Sequence, residues 1–151
     1  MMVTSAGLVG YPPNDPQQKG LAMDPVVHFE LPAEDRDRMA AFYSAVFGWS
    51  TEMLGAEMGN YTVVTTTETV DGRPTTPGAI NGGFFLRTDD PGSQVPSVVI
   101  AVENLEASAR AVVEAGGEVT EPHDIPGVGR YASFHDSEGN RMSMLQPNPR
   151  G

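Results

Sequence analysis

The chain of 151 residues contains no cysteine, and that absence alone removes disulfide scaffolds, thiolate nucleophiles and zinc ribbons from consideration. Any metal ligands must then be His, Asp or Glu. Basic residues are scarce as well: 9 Lys+Arg stand against 20 Asp+Glu, a formal charge of −11. That sign repels phosphate backbones and anionic lipid, so neither nucleic acid nor a membrane surface is an expected partner. Lysine occurs once, at Lys19, and supports no functional reading. No apolar run approaches the roughly 20 residues of a membrane-crossing helix. Residues 1–20 lack the charged start and continuous apolar core of a secretory signal. The expectation is a cytoplasmic protein with one soluble domain, since the length is close to that of an average domain.

What is present divides the chain. Residues 1–22 hold Gly7, Gly10, Pro12, Pro13, Asn14, Pro16 and Gly20 with little periodicity, and they read as a flexible arm preceding a single domain over 23–151. Val26 to Leu31 is a short run of β-formers ended by Pro32. Met39, Phe42, Tyr43, Val46 and Phe47 then recur at i, i+3, i+4, i+7 and i+8, with Glu34, Asp35 and Asp37 ahead of them and Gly48 as a stop. This spacing predicts an amphipathic helix with those five side chains against the core. Strands are expected over 49–54, 61–67 and 79–87, and 88–96 reads as a linker.

The second half repeats the first. A strand at 98–102 precedes a helix with Asn104 as N-cap, an apolar stripe of Leu105, Ala109, Val112 and Ala115, and an end at Gly116 and Gly117. Strands follow at 118–121, 130–135 and 141–146, the last two joined by a turn over Asp136 to Asn140. An offset of 69 residues carries Gly48 onto Gly117, His28 onto Ser97, Phe29 onto Val98 and Leu31 onto Ile100. Two tandem βαβββ modules, about 25–88 and 96–147, follow from this. The fold class is α+β: a curved, mixed sheet of eight strands enclosing a cleft, with a helix on the outer face of each half.

With those modules in place, the segments VVHFELPAEDRDRMAAFYSAVFGW, PSVVIAVENLEASARAVVEAGGEV and GRYASFHDSEGNRMSMLQP resemble the vicinal oxygen chelate superfamily, the glyoxalase, bleomycin-resistance and extradiol dioxygenase group. The resemblance implies small-molecule chemistry or binding in the cleft, and a homodimer. It also implies a divalent ion held by one side chain from the first and last strands of each module. His28 matches the first of those positions. The others fall on Ser97, on Ser143, and on either Asn81 or Gly83, none of which supplies an imidazole or a carboxylate. Serine hydroxyls are too weak to replace them, so no metal cofactor is expected, and a divalent ion through His28 alone is disfavoured.

His28 and Glu30 lie two apart on a strand and therefore on one face, which the alignment with ligand positions makes the cleft face. They are the candidate catalytic pair, a carboxylate beside an imidazole suited to acid–base work. The competing reading is a glutamate paired to an arginine at the strand end and a histidine that only hydrogen-bonds. Ser97 and Ser143 join the cleft by the same alignment, leaving Met142 and Met144 for the helix side. Tyr131, Ser133 and His135 share one parity and face cleft or solvent. The glycine-rich run Ile125 to Arg130 has no helix after it and reads as a hairpin loop over the cleft mouth, with Arg130 free to meet an anionic group. Asn81, next to Gly82 and Gly83, is a ligand candidate on a strand where glycine signals a bulge. His123, beside Pro122, reads as a surface loop.

Two functions compete on this evidence. One is a lyase or isomerase working without the usual ion, through His28 and Glu30, with Asn81, Ser97, Arg130, Ser133, His135 and Ser143 as ligand-binding residues. The other is a non-catalytic protein that sequesters a small, cationic, antibiotic-like molecule, which the acidic charge would draw in.

Overall fold

The structure is a computed structural model that describes residues 23–149; the arm expected over 1–22 lies outside the described residues. Helix α1 (Arg36–Phe47) begins where Asp35 accepts a hydrogen bond from Arg38 N at 3.0 Å, and it ends at Gly48, whose φ of 73° is the left-handed conformation that glycine adopts without strain. Helix α2 (Leu105–Glu114) is capped by Asn104, which accepts from Ala107 N at 3.0 Å. Leu105 N also donates to Gln146 Oε1 at 2.8 Å, fastening the start of α2 to the last strand.

The strands are β1 (Val26–Ala33), β2 (Ser50–Met53), β3 (Thr62–Thr65), β4 (Thr69–Val70), β5 (Arg73–Pro74), β6 (Asn81–Leu86), β7 (Ser97–Ala101), β8 (Glu118–Val119), β9 (His123–Ile125), β10 (Gly129–His135) and β11 (Arg141–Pro147). The main sheet runs β2-β3-β6-β1-β7-β11-β10-β8, with β9 paired to β10, while β4 and β5 form a separate hairpin. The eight expected strands are thus the continuous path. The additions, β9 and the β4–β5 hairpin, occupy stretches that read as turns because each strand is only two or three residues long, too short to show alternation.

The order is symmetric about the centre, where β1 and β7 pair antiparallel. Phe29 faces its own counterpart Val98 there, at the offset of 69, while His28 faces Val99 and Glu30 faces Ser97, so a pseudo-two-fold axis passes between Phe29 and Val98. Outward from the axis, β1 lies parallel to β6 and β7 parallel to β11, with Glu30 opposite Gly83 and Val99 opposite Ser143. Gly83 and Ser143 are therefore equivalent positions, which decides between Asn81 and Gly83 as the fourth position of the module comparison.

Both helices cover the same face. Ala33, Ala40, Val64 and Phe84 form one core cluster under α1, joined by Phe29, Leu31, Met39, Tyr43 and Trp49. Val102, Leu105, Ala132 and Met144 form the other under α2, with Ile100, Val112 and Phe134. Alternation then sends His28, Glu30, Ser97, Tyr131, Ser133, Arg141 and Ser143 to the helix-free face. Glu30, Ser97, Ser133 and Ser143 are buried there without a helix over them, which requires the sheet to curl around that face.

Helix α1 departs from expectation. Its buried residue is Ala40, while Phe42, Val46 and Phe47 are 55%, 56% and 60% exposed. Its apolar stripe is wider than the sheet beneath it, and Met39 and Tyr43 take the covered flank. The two phenylalanines Phe84 and Phe47 should therefore behave oppositely. Phe84→Ala, at a site only 1% exposed, is expected to lower unfolding stability by about 3–5 kcal/mol. Phe47→Ala should change it by roughly 0.5 kcal/mol or less. Urea unfolding checks both, and equal losses would contradict the placement of α1.

Candidate active site

The site is built on Glu30, a carboxylate that is 8% exposed near the pseudo-two-fold axis. Its Oε2 accepts from Tyr61 Oη at 3.1 Å and its Oε1 from Tyr131 Oη at 2.9 Å. The phenols arrive from opposite halves. Val63 pairs with Gly83 and Ser133 with Ser143, and each tyrosine stands two residues earlier, so Tyr61 and Tyr131 are equivalents under the pseudo-symmetry. Glu30's own equivalent is Val99. One carboxylate thus collects the donors of a symmetric tyrosine pair.

Each phenol has a single proton, and both are given to Glu30. The remaining contacts are then fixed in sense: His28 Nε2 donates to Tyr61 Oη at 2.9 Å, and Ser143 Oγ donates to Tyr131 Oη at 2.6 Å. His28 therefore carries its hydrogen on Nε2 and, when neutral, keeps a lone pair on Nδ1. Burial lowers the pKa of His28 from its ordinary 6.5, with the charge of Glu30 opposing. Burial and then the Glu30 carboxylate raise both phenols above the ordinary tyrosine value; for Tyr131 the Ser143 hydrogen bond and Arg141 act in the other direction. Both tyrosines stay protonated donors at neutral pH.

Tyr61 is aimed by its surroundings. A side chain at position 83 would overlap the Tyr61 phenol, and Gly83 leaves that space open. The segment before Tyr61 folds back as a short 3-10 turn, Ala56–Met58, and its ends are drawn to α1 by Arg36. Arg36 Nη1 donates to Leu54 O and Asn60 O, each at 2.7 Å, and to Tyr61 O at 3.4 Å. Neither Arg36 nor Tyr61 stood out in the sequence. The repeated order of Tyr61-Thr62-Val63 and Tyr131-Ala132-Ser133, offset by 70 residues, is the signal that could have found the tyrosine pair.

The other candidates fall in different places. Ser143 is fully buried and belongs to the network. Ser97 Oγ donates to Arg141 O at 3.2 Å, tying β7 to β11 beside Glu30. Ser133 Oγ meets Thr120 Oγ1 at 3.0 Å and fastens the sheet edge. His135 is half-buried opposite both Arg141 and Glu118, on the Tyr131 face of β10. Asn81 is spent internally, its Oδ1 accepting from Thr66 N at 2.8 Å and its Nδ2 donating to Thr69 Oγ1 at 2.9 Å. The glycines beside it make no bulge, since β6 pairs without a register shift. They clear space for Phe29 on one face and Tyr61 on the other.

Arg130 departs from the expectation. It points to the helix side, pairing with Glu106 of α2 at 2.7 Å and with Asp124 of β9 at 2.9 Å, so it is not free at a cleft mouth. The adjacent hairpin does form, between β9 and β10. His123 lies in β9 and sets its ring 5.5 Å from that of Tyr131, where a loop was expected.

The four positions at which the superfamily resemblance places a divalent ion are His28, Gly83, Ser97 and Ser143. One imidazole, one glycine and two hydroxyls already engaged do not fit such an ion. Among the described residues no three or more His, Asp or Glu gather in an arrangement able to hold a metal. What the arrangement can do is hold His28 as a neutral base whose far nitrogen is hydrogen-bonded, through Tyr61, to a carboxylate. No helix of the described residues is long and apolar enough to cross a membrane.

The model of the glyoxalase-like domain matches residues 26–145. A putative glyoxylase, CFP32, of Mycobacterium bovis is 34% identical over 125 residues, which are 80% of this chain and 43% of that protein. This chain thus spans less than half the length of that relative. A glyoxylase-like domain-containing protein of Didymella fabae is 31% identical over 121 residues, 76% of this chain and 88% of that protein. Among solved structures, a variant of Streptomyces coelicolor methylmalonyl-CoA epimerase in complex with 2-nitronate-propionyl-CoA superposes with a TM-score of 0.61 at 19% identity, covering 85% of this chain and all of that one. Methylmalonyl-CoA epimerase from Mycobacterium tuberculosis gives 0.59 at 16% identity, over 88% and 96% of the two chains. At those identities the structural likeness shows the fold. The paired modules and the match over residues 26–145 place this chain in the glyoxalase-like domain family of the vicinal oxygen chelate superfamily.

Proposed function

We propose that the protein is an acid–base catalyst that moves a proton on a small carbonyl compound held against the helix-free face. The observation that carries this is the chain His28 Nε2–Tyr61 Oη–Glu30 Oε2. In the reaction His28 Nδ1 takes a proton from a carbon next to the substrate carbonyl. The C–H bond breaks, and its electron pair moves onto the carbonyl oxygen as an enolate. His28 becomes an imidazolium, whose Nε2–H is held by Tyr61 and whose charge faces Glu30. Return of the proton to the same or a neighbouring atom completes an isomerisation. Loss of a leaving group from the enolate completes an elimination, and no step is routed through a metal ion. The epimerases among the structural neighbours support a proton-moving reaction on this fold, and at 19% identity they do not carry their substrate across.

The direct test is solvent deuterium exchange. The protein is incubated in D2O with a panel of small ketones, 2-oxo acids and β-keto thioesters, and proton loss at the carbonyl-adjacent carbon is followed by NMR in the presence of EDTA. Wash-in is expected for at least one compound, with a fall of about 100-fold or more in His28→Gln. A panel that shows no exchange, or a His28→Gln variant as fast as the parent, contradicts the proposal. Stabilisation by cationic glycopeptide drugs without exchange would favour sequestration instead.

The wiring of His28 predicts its titration. Its midpoint, read from ring proton shifts, should lie below the ordinary 6.5, and Glu30→Gln should lower it further, because the carboxylate is the contribution that raises it. The sign for stability follows. A depressed folded-state pKa contributes stability that is complete above about 6.5 and is lost as pH falls through the folded value. Urea midpoints should therefore decline on acidification from pH 6.5, less so in His28→Gln. A His28 midpoint above 6.5 would contradict the buried placement.

A further inference from the structure

The helix-free face carries a cation that the proton-moving chain does not use. Arg141 stands two residues before Ser143, so alternation puts its side chain on the same face as Glu30 and Tyr131. Ser97 Oγ holds its carbonyl at 3.2 Å, and Ser97 in turn pairs with Glu30. Arg141 thus starts two strands from Glu30, about 10 Å between the Cα atoms.

Among the described residues the other arginines are either committed or, as with Arg73, Arg87 and Arg110, exposed. Arg36 is spent on three carbonyls, Arg38 on Glu34 and Asp35, and Arg130 on Glu106 and Asp124. Arg141 forms no ion pair and no side-chain hydrogen bond among them, and it is half-buried rather than waving in solvent. Its stem is seated on purpose-shaped backbone. A Cβ on Gly92, in the 3-10 turn Pro91–Ser93, would come within 2.8 Å of Arg141 Cδ and 3.1 Å of its Nε. Asp90 of that turn accepts from Gly92 N at 3.0 Å through an Oδ1 that lies near the Arg141 stem without forming an ion pair with it, and the cross-strand neighbour His135 brings no carboxylate. Glu30 is already held by two phenols, and the two other acids that the register puts on this face, Glu52 opposite Val63 and Glu118 opposite His135, form no ion pair with Arg141.

We propose that Arg141 anchors an anionic group of the substrate, so that the site takes small carbonyl compounds bearing a carboxylate. A planar fork of donors matches a carboxylate in bidentate fashion, and partial burial strengthens the pair relative to an exposed one. The inference rests on the proposed proton transfer for its location and narrows its substrate. It also departs from the expectation drawn from net charge, since the chain is acidic overall and the group proposed to meet the substrate is a cation.

Binding, measured apart from turnover, tests it. The full chain is titrated by calorimetry and by amide shifts with pyruvate, 2-oxobutyrate and 2-oxoglutarate, and in parallel with neutral pyruvamide and with choline. Saturable binding of at least one oxo acid is expected, with shifts at Tyr131, Arg141 and Ser143. Affinity should fall tenfold or more in Arg141→Gln, be partly kept in Arg141→Lys, and fall in Gly92→Ala, where the displaced stem moves the fork. Pyruvamide and choline should not bind there. Unaltered oxo-acid affinity in an Arg141→Gln variant with parental thermal unfolding overturns the anchor, as does binding of choline with no acid bound. His28→Gln should bind the acids like the parent, so failure of the base at His28 appears in exchange alone and failure of the anchor appears in affinity.

Discussion

A carboxylate removed from water must find hydrogen-bond donors or become neutral. Glu30 finds two, and the arrangement around it follows from how they are delivered. The phenols come from β3 and β10, strands far apart in the chain that the pseudo-two-fold brings to opposite sides of one residue. Gly83 leaves room for the ring of Tyr61, and Arg36 gathers the carbonyls of the segment ahead of it. Because both phenol protons are committed to Glu30, His28 and Ser143 can only donate to the tyrosines, and the free lone pair of the imidazole is left on the nitrogen that faces away from the network. A structural demand, satisfying one buried charge, thereby sets the tautomer of the candidate base.

The two modules share a backbone plan and differ in chemistry. At equivalent central positions the first has His28 and Glu30 where the second has Ser97 and Val99, while the tyrosines are kept in both. The symmetric pair of donors meets a single acceptor, which is how a duplicated scaffold holds one site and not two. The donor set that would suit a divalent ion is missing from the same four positions. The proposed acid–base work therefore rests on the side chains of this face, and Arg141 adds a positive charge to it.

The modules were legible because strand alternation, helix spacing and the helix-ending glycines all repeat at nearly one offset, and Phe29 opposite Val98 confirms that offset in the register. His28, Glu30, Ser97 and Ser143 were placed on one face by period-two reasoning, which holds wherever a strand is long enough to read. Tyr61 was hidden because it precedes β3 and reaches its partners diagonally, over a glycine whose role was read as a bulge. Arg130 misled for a related reason. Its neighbours in sequence are glycines, but its partners, Glu106 and Asp124, are brought to it by α2 and by β9, and a strand of three residues leaves no pattern to find. Helix α1 shows the limit of periodicity: spacing identifies the apolar stripe but not how much of it the sheet covers.

The central claim is that Glu30 and the tyrosine pair form one energetic unit, and a double-mutant cycle between Glu30→Gln and Tyr131→Phe measures it most directly. Unfolding free energies of the parent, both single variants and the double variant should give a coupling of about 1–3 kcal/mol, as expected for a partly buried hydrogen bond to a charged group. A coupling near zero, with both single variants folded, would mean that the phenol and the carboxylate do not depend on one another, and the account built on them would not stand.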